Sequence, residues 1–139
     1  MPRKTDSNNP SDWLWIAAID LTVIELAVSQ EIGFPTVRSK LAEVLEKTIK
    51  AELLRLGWRL EKTHDLNRLA LALRRHGSPA ETTATPLCSE LAEVYFTDRY
   101  PGFDLDDPDW PVLRAQVEQV AALLAAVQAR LTAPEAPPP

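Results

Sequence analysis

Cysteine is almost absent from this 139-residue chain, Cys88 being the only one. A single thiol excludes an intrachain disulfide, a disulfide-stapled secreted scaffold and a cysteine-built zinc site, and makes the cytoplasm the expected compartment. Glycine is scarce as well, with four residues, and no Gly-rich phosphate loop, H-E-x-x-H or G-x-S-x-G motif occurs. The two histidines are His64 and His76, so the last 63 positions have no imidazole to offer. Cations are outnumbered, 15 Lys and Arg against 20 Asp and Glu, for a net charge of −5 and a pI near 5.0. That balance argues against a protein that coats nucleic acid by neutralising many phosphates, while leaving room for a local basic patch. A long uninterrupted apolar run is missing too. Asp20 and Glu25 break the segment from Trp13 to Val28, which speaks against both a signal peptide and a membrane span. No stretch alternates with period two for long enough to predict a sheet.

What the chain does have is helical periodicity. In Arg38 to Gly57, Leu41, Leu45, Ile49, Leu53 and Leu56 form one apolar stripe, and Gly57 is placed to stop the helix. Glu43 with Lys47 and Glu46 with Lys50 stand at i,i+4 in the favourable order and read as pairs on a solvated face. Before this helix, two stripes are legible from Trp13 to Val28: Ile16, Ile19, Val23 and Leu26 on one, Trp13, Ala17, Ile24 and Ala27 on the other. Ser11 or Asp12 is the expected cap, Gly33 the expected end, and Pro35 the expected start of the next helix. Asp20 lies on the second stripe, where an unpaired carboxylate would be costly, so a partner among Lys47, Lys50 and Arg99 is expected.

A third helix is predicted from Leu66 to Gly77, with Thr63 or Asp65 as its cap and Leu66, Leu69, Ala70 and Leu73 as its inner face. Thr85-Pro86 then reads as the cap and first residue of a fourth, with Leu87, Leu91, Val94 and Tyr95 inward and Cys88 one residue off that stripe. The acidic group Asp104, Asp106, Asp107 and Asp109 fails the calcium-loop pattern, because Asp109 stands where glycine is needed and Pro108 at a ligand position. It reads as a loop ending in an Asp109 cap. The last helix carries Leu113, Val117, Val120, Leu124, Val127 and Leu131 at bundle-seam spacing. The expected architecture is all-α: an up-down four-helix bundle with an additional short helix, five in total. Residues 1–10 are expected to be a disordered lead, 11–132 the helical domain and 133–139 a flexible Pro-rich tail. Both apolar stripes of the first helix and the Ala-rich flank of the last, Ala121, Ala122, Ala125, Ala126 and Ala129, exceed what one bundle needs to cover, which predicts a homodimer.

Four short motifs add a resemblance. Asp20-Leu21, Glu46-Lys47 followed by Lys50-Ala51, His64-Asp65-Leu66 and Arg99-Tyr100-Pro101 occur in the order of the D-L, E-K-x-x-K-A, H-D-L and R-Y-P positions of HEPN domains. The chain therefore resembles this helical "higher eukaryotes and prokaryotes nucleotide-binding" family over roughly residues 12–131. The resemblance implies the same helical fold, and it marks Asp20, Lys47, Lys50, His64 and Arg99 as binding residues. Many HEPN proteins are metal-independent ribonucleases that use R-x(4–6)-H beside the last helix. Arg99 stands where that arginine should be, yet the residues four to six positions on are Asp104, Leu105 and Asp106. Arg59 and His64 satisfy the spacing literally but sit before the third helix. No catalytic residue, metal or cofactor is therefore assigned. The expected function is a binding or interaction protein, a partner of a nucleotidyltransferase or a nucleotide- or RNA-binding subunit. The alternatives are a toxin-like ribonuclease using Arg99 with His64, and a non-catalytic dimeric scaffold.

Overall fold

The computed structural model describes residues 7–94 and 107–132. Five helices occur among them and no strand: α1 (Pro10–Gln30), α2 (Phe34–Arg55), α3 (Leu66–Arg75), α4 (Glu81–Leu91) and α5 (Trp110–Thr132). Tyr95, the Arg99-Tyr100-Pro101 motif, Asp104, Asp106 and the expected tail lie outside the described residues, as does most of the expected lead.

Helix α2 is the hub. It packs against each of the other four helices, while α1, α2, α4 and α5 close a ring of neighbouring contacts and α3 lies across α2 and α4. The reason is its composition. The predicted stripe of Leu41, Leu45, Ile49 and Leu53 is fully buried, and Phe34, Val37, Val44 and Ala51 bury a second side of the same helix. Gly57, at φ +89°, ends it: the Trp58 amide reaches back to the Leu53 carbonyl at 2.9 Å, the six-to-one bond of a Schellman motif.

Three helix ends differ from expectation. Asn9, not Ser11 or Asp12, caps α1 by accepting from the Ser11 amide at 3.0 Å, which leaves Pro10 at the first helical position, where no N–H is needed. At the other end, Glu31 (φ 52°) rather than Gly33 is the left-handed residue that caps α1, and Gly33, left-handed as well (φ 70°), opens α2. The Glu31 carboxylate is held by Arg114 of α5 at 2.6 Å. Helix α4 begins at Glu81, five residues before Pro86. The proline is tolerated inside the helix because it and Thr82, whose carbonyl would lose its partner, both face water. Ala80 and Ala84 thereby extend the inner stripe above Leu87 and Leu91, and Cys88 belongs to it, fully buried. Asp65 caps α3 and Asp109 caps α5, as expected.

The two stripes of α1 have opposite fates. Leu14, Ala17, Leu21, Ile24 and Val28 enter the core. The expected stripe of Ile16, Ile19, Val23 and Leu26 stays in solvent, with Val23 and Leu26 at 62% and 66% exposure.

Candidate functional site

Lys40, Glu43, Lys47 and Lys50 recur on α2 at intervals of three, four and three, so they share a helix face, and Glu46 borders it. That face looks toward α1 and the segment before α3. The Lys47 ammonium donates to Asp20 Oδ2 at 3.1 Å, and Lys40 approaches the same oxygen at 3.9 Å. Asp20 thus finds the cationic partner that its place on an apolar helix demanded, and is half-buried rather than sealed off. Lys47 is drawn across to α1 and away from its expected pairing with Glu43; Glu43 is met instead by Lys40 at 3.0 Å.

Glu46 and Lys50 form their i,i+4 pair, at 3.0 Å, but not on a solvated face: their side chains are 8% and 3% exposed. A buried ammonium requires compensation from charge and from polarisable surface. Lys50 has both, since its Nζ also lies 5.2 Å from the centre of the Trp13 ring. Trp13 is fixed in turn, its indole N–H donating to the Ser7 carbonyl at 2.7 Å.

His64 joins this group from the capping turn of α3. Thr63 Oγ1 accepts from the Asp65 amide at 3.1 Å and Asp65 Oδ1 from the Arg68 amide at 3.2 Å, which sets the turn and leaves the imidazole between them directed at α2. Its Nδ1 is 2.9 Å from Glu46 Oε1, while Glu46 Oε2 takes the Lys50 ammonium. One carboxylate therefore links histidine and lysine. A carboxylate at Nδ1 favours the proton there and leaves Nε2 as the acceptor. The imidazole remains 59% exposed.

These residues line one cleft of about 360 Å³ together with Glu43 and Lys62. Trp13, Glu43, Glu46, Lys47, Lys50, Lys62 and His64 are the side chains a ligand would meet. The sequence pointed to Lys47, Lys50 and His64, and Asp20 proves to anchor Lys47 from behind. Trp13 and Lys62 carried no motif that could have singled them out. Arg99 lies outside the described residues, so its relation to the cleft is not described. A family-level comparison matches residues 10–129 to the HEPN domain. The chain belongs to the HEPN family. The D-L, E-K-x-x-K-A and H-D-L positions, up to 46 residues apart along the chain, meet around one opening in this HEPN fold. Family membership makes the chain a nucleotide- or RNA-related helical domain of a kind that commonly dimerises. Comparison with curated proteins and with solved structures returned no match.

Two further polar features of the HEPN domain belong to its interior. Glu52, fully buried on α2, accepts from Arg55 Nε at 2.8 Å and Ser78 Oγ at 2.5 Å, and pairs with Arg130 Nη2 of α5 at 3.2 Å. Burial pushes its pKa up, but the hydrogen bonds from Arg55 and Ser78 and the charges of Arg130 and Arg55 outweigh burial and leave it below the usual carboxylate range. Burial pushes the Cys88 thiol up to about 12, so it packs and does not react as a thiolate. Among the described residues, no group of His, Cys, Asp and Glu is arranged to hold a metal ion, and no helix is long and apolar enough to cross a membrane.

Proposed function

We propose that this HEPN chain is a non-nucleolytic binding subunit that holds the phosphate of a nucleotide or of RNA in the cleft between α1, α2 and residues 62–64. The observation that carries this reading is the convergence of Lys47, Lys50, Lys62 and His64 beside the Trp13 ring. Asp20 and Glu46 fix the ammonium groups of Lys47 and Lys50 before any ligand arrives, which lowers the ordering cost of binding. Lys62, beside the imidazole of His64, completes a rim suited to an oxyanion. The volume lies within the range of small-molecule sites. Arg99, carried over from the R-Y-P resemblance, is assigned a supporting contact to the same anion.

The absence of cleavage follows from chemistry. Attack through a 2′-hydroxyl near neutral pH calls for a group that exchanges a proton in that range, and Asp104 to Asp106 supply carboxylates where the family's nucleases place histidine. The Glu46–His64 contact favours a second reading, in which a carboxylate-oriented His64 acts as the base together with Arg99 in a toxin-like ribonuclease. Further parts of the proposal are a homodimer and a nucleotidyltransferase as protein partner.

Calorimetric titration of the purified chain with adenosine nucleotides and a short RNA tests the main reading. Lys62→Ala and Arg99→Ala should each weaken binding about tenfold, the loss of one charge-assisted hydrogen bond. In parallel, labelled RNA incubated with a chelator should stay intact. Metal-independent cleavage lost in both Arg99→Ala and His64→Ala would replace the main reading with the second. Co-expression with an adjacent nucleotidyltransferase, followed by purification through a tag on one chain, tests the protein partner.

A further inference from the structure

The exposed apolar stripe of α1 is too regular to be incidental. Ile16, Ile19, Val23 and Leu26 follow one another at three, four and three residues, the a/d spacing of a helix that packs along another helix. All four are 42–66% exposed, and Trp15 beside them is 69% exposed. Between Trp15 and Gln30, Glu25 is the only exposed charged residue, and it lies on the flank, six residues round from Ile19. Such a strip is not held in water by charge and is not covered by the bundle.

We propose that this strip is the seam on which two copies of the chain pair, α1 against α1, in antiparallel orientation about a two-fold axis near Leu21. This deepens the homodimer reading by giving it a face and a register. The argument for a second copy is self-complementarity. Antiparallel pairing with a facing d sets Ile16 against Leu26 of the other copy and Ile19 against Val23, so every layer is apolar. The same register sets exposed Asp12 opposite Gln30. A parallel pair would instead bring Asp12 onto Asp12, like charge on like charge in the seam. On one flank the two Thr22 side chains meet; on the other, the two Asp20 carboxylates approach, each already held by its Lys47 at 3.1 Å. The apolar layers, with Thr22 on one flank and the Lys47-paired Asp20 on the other, fall in an order that reads the same in both directions, as pairing with a second copy requires.

Light scattering on the full chain at micromolar concentration measures the mass. The wild type should be a dimer, and the double variant I19E/V23E a monomer with unchanged helical circular dichroism, since both positions face solvent. A short bismaleimide should join two copies of Thr22→Cys across the axis, with buried Cys88 shielded from the reagent, and should not join Arg75→Cys on α3. A monomeric wild type overturns the dimer reading and the seam with it. A dimeric wild type whose mass I19E/V23E does not change, and which Thr22→Cys does not cross-link, overturns the seam alone and leaves the dimer reading standing.

Discussion

Helix α2 carries two buried glutamates six residues apart, and they have been put to different uses. Glu52 is enclosed: its partners are Arg55, Ser78 and Arg130, drawn from α2, the turn before α4 and α5. Glu46 has Lys50 on its own helix and, on the other side, an imidazole that stands mostly in water at the mouth of a cleft. Both are charged groups in a low-dielectric setting, but only the second is bonded to a side chain that stands largely exposed at the mouth of a cleft. Burial of a carboxylate is thus no guide to function by itself. What distinguishes a site from a clamp is whether the carboxylate's partners are sealed in the core or reach the surface of a cleft.

Removing each glutamate should sharpen that contrast. Glu52→Ala leaves Arg130 without its carboxylate in the interior and should destabilise the fold by about 3–5 kcal/mol, measured by urea unfolding, without a separate effect on cleft ligands. The same group sets an acid limit. Because its folded-state pKa is lowered, its contribution is fully present above the unfolded-chain value near 4.3 and is lost as pH falls through the folded value. The stability gap between wild type and Glu52→Gln should therefore narrow on acidification below about pH 4; a gap that widens would reverse the assignment. Glu46→Ala should cost less, about 2 kcal/mol, since Lys50 keeps the Trp13 face and can extend toward the cleft. Its larger signature should be weakened ligand binding, as His64 loses its orientation. Smallest is Asp20→Ala, at about 1 kcal/mol, because Lys47 is partly exposed and regains water. If Asp20→Ala proved as damaging as Glu52→Ala, the division between an enclosed clamp and an open rim would fail.

Much of the fold was legible in residue spacing. The stripes of α2, α3 and α5 are buried as read except at the last residues of two of them, Leu56 and Leu131, which are half-buried, and the caps Asp65 and Asp109 follow from side chains that bond their own neighbouring amides. Errors arose where a local signal competed with packing. Thr85-Pro86 resembles a helix start, yet Ala80 and Ala84 fill the core so well that the helix runs through the proline. Glu46 and Lys50 have the spacing of any solvated pair, and only Trp13 and His64, both distant in sequence, show that the pair is inside. Glu52 was invisible for the same reason, its partners Ser78 and Arg130 standing 26 and 78 positions away. Of the cleft, the residues in short motifs were found, while Trp13 and Lys62 were not, because a lone aromatic and a surface lysine look alike in any helical protein.

The placement of Cys88 turns the chain's single thiol into a clock. It is sealed within α4, two residues after a proline that deprives the same helix of one backbone hydrogen bond. A disulfide reagent added to the native protein can reach that sulfur only during moments when α4 lifts from the helices packed against it, α2, α3 and α5. When closing is fast compared with capture, the labelling rate divided by that of a free thiol gives the population of the lifted state, and hence its free energy. A value well below that of global unfolding would mark α4 as a separately breathing panel of the bundle; an equal value would show that all five helices open together.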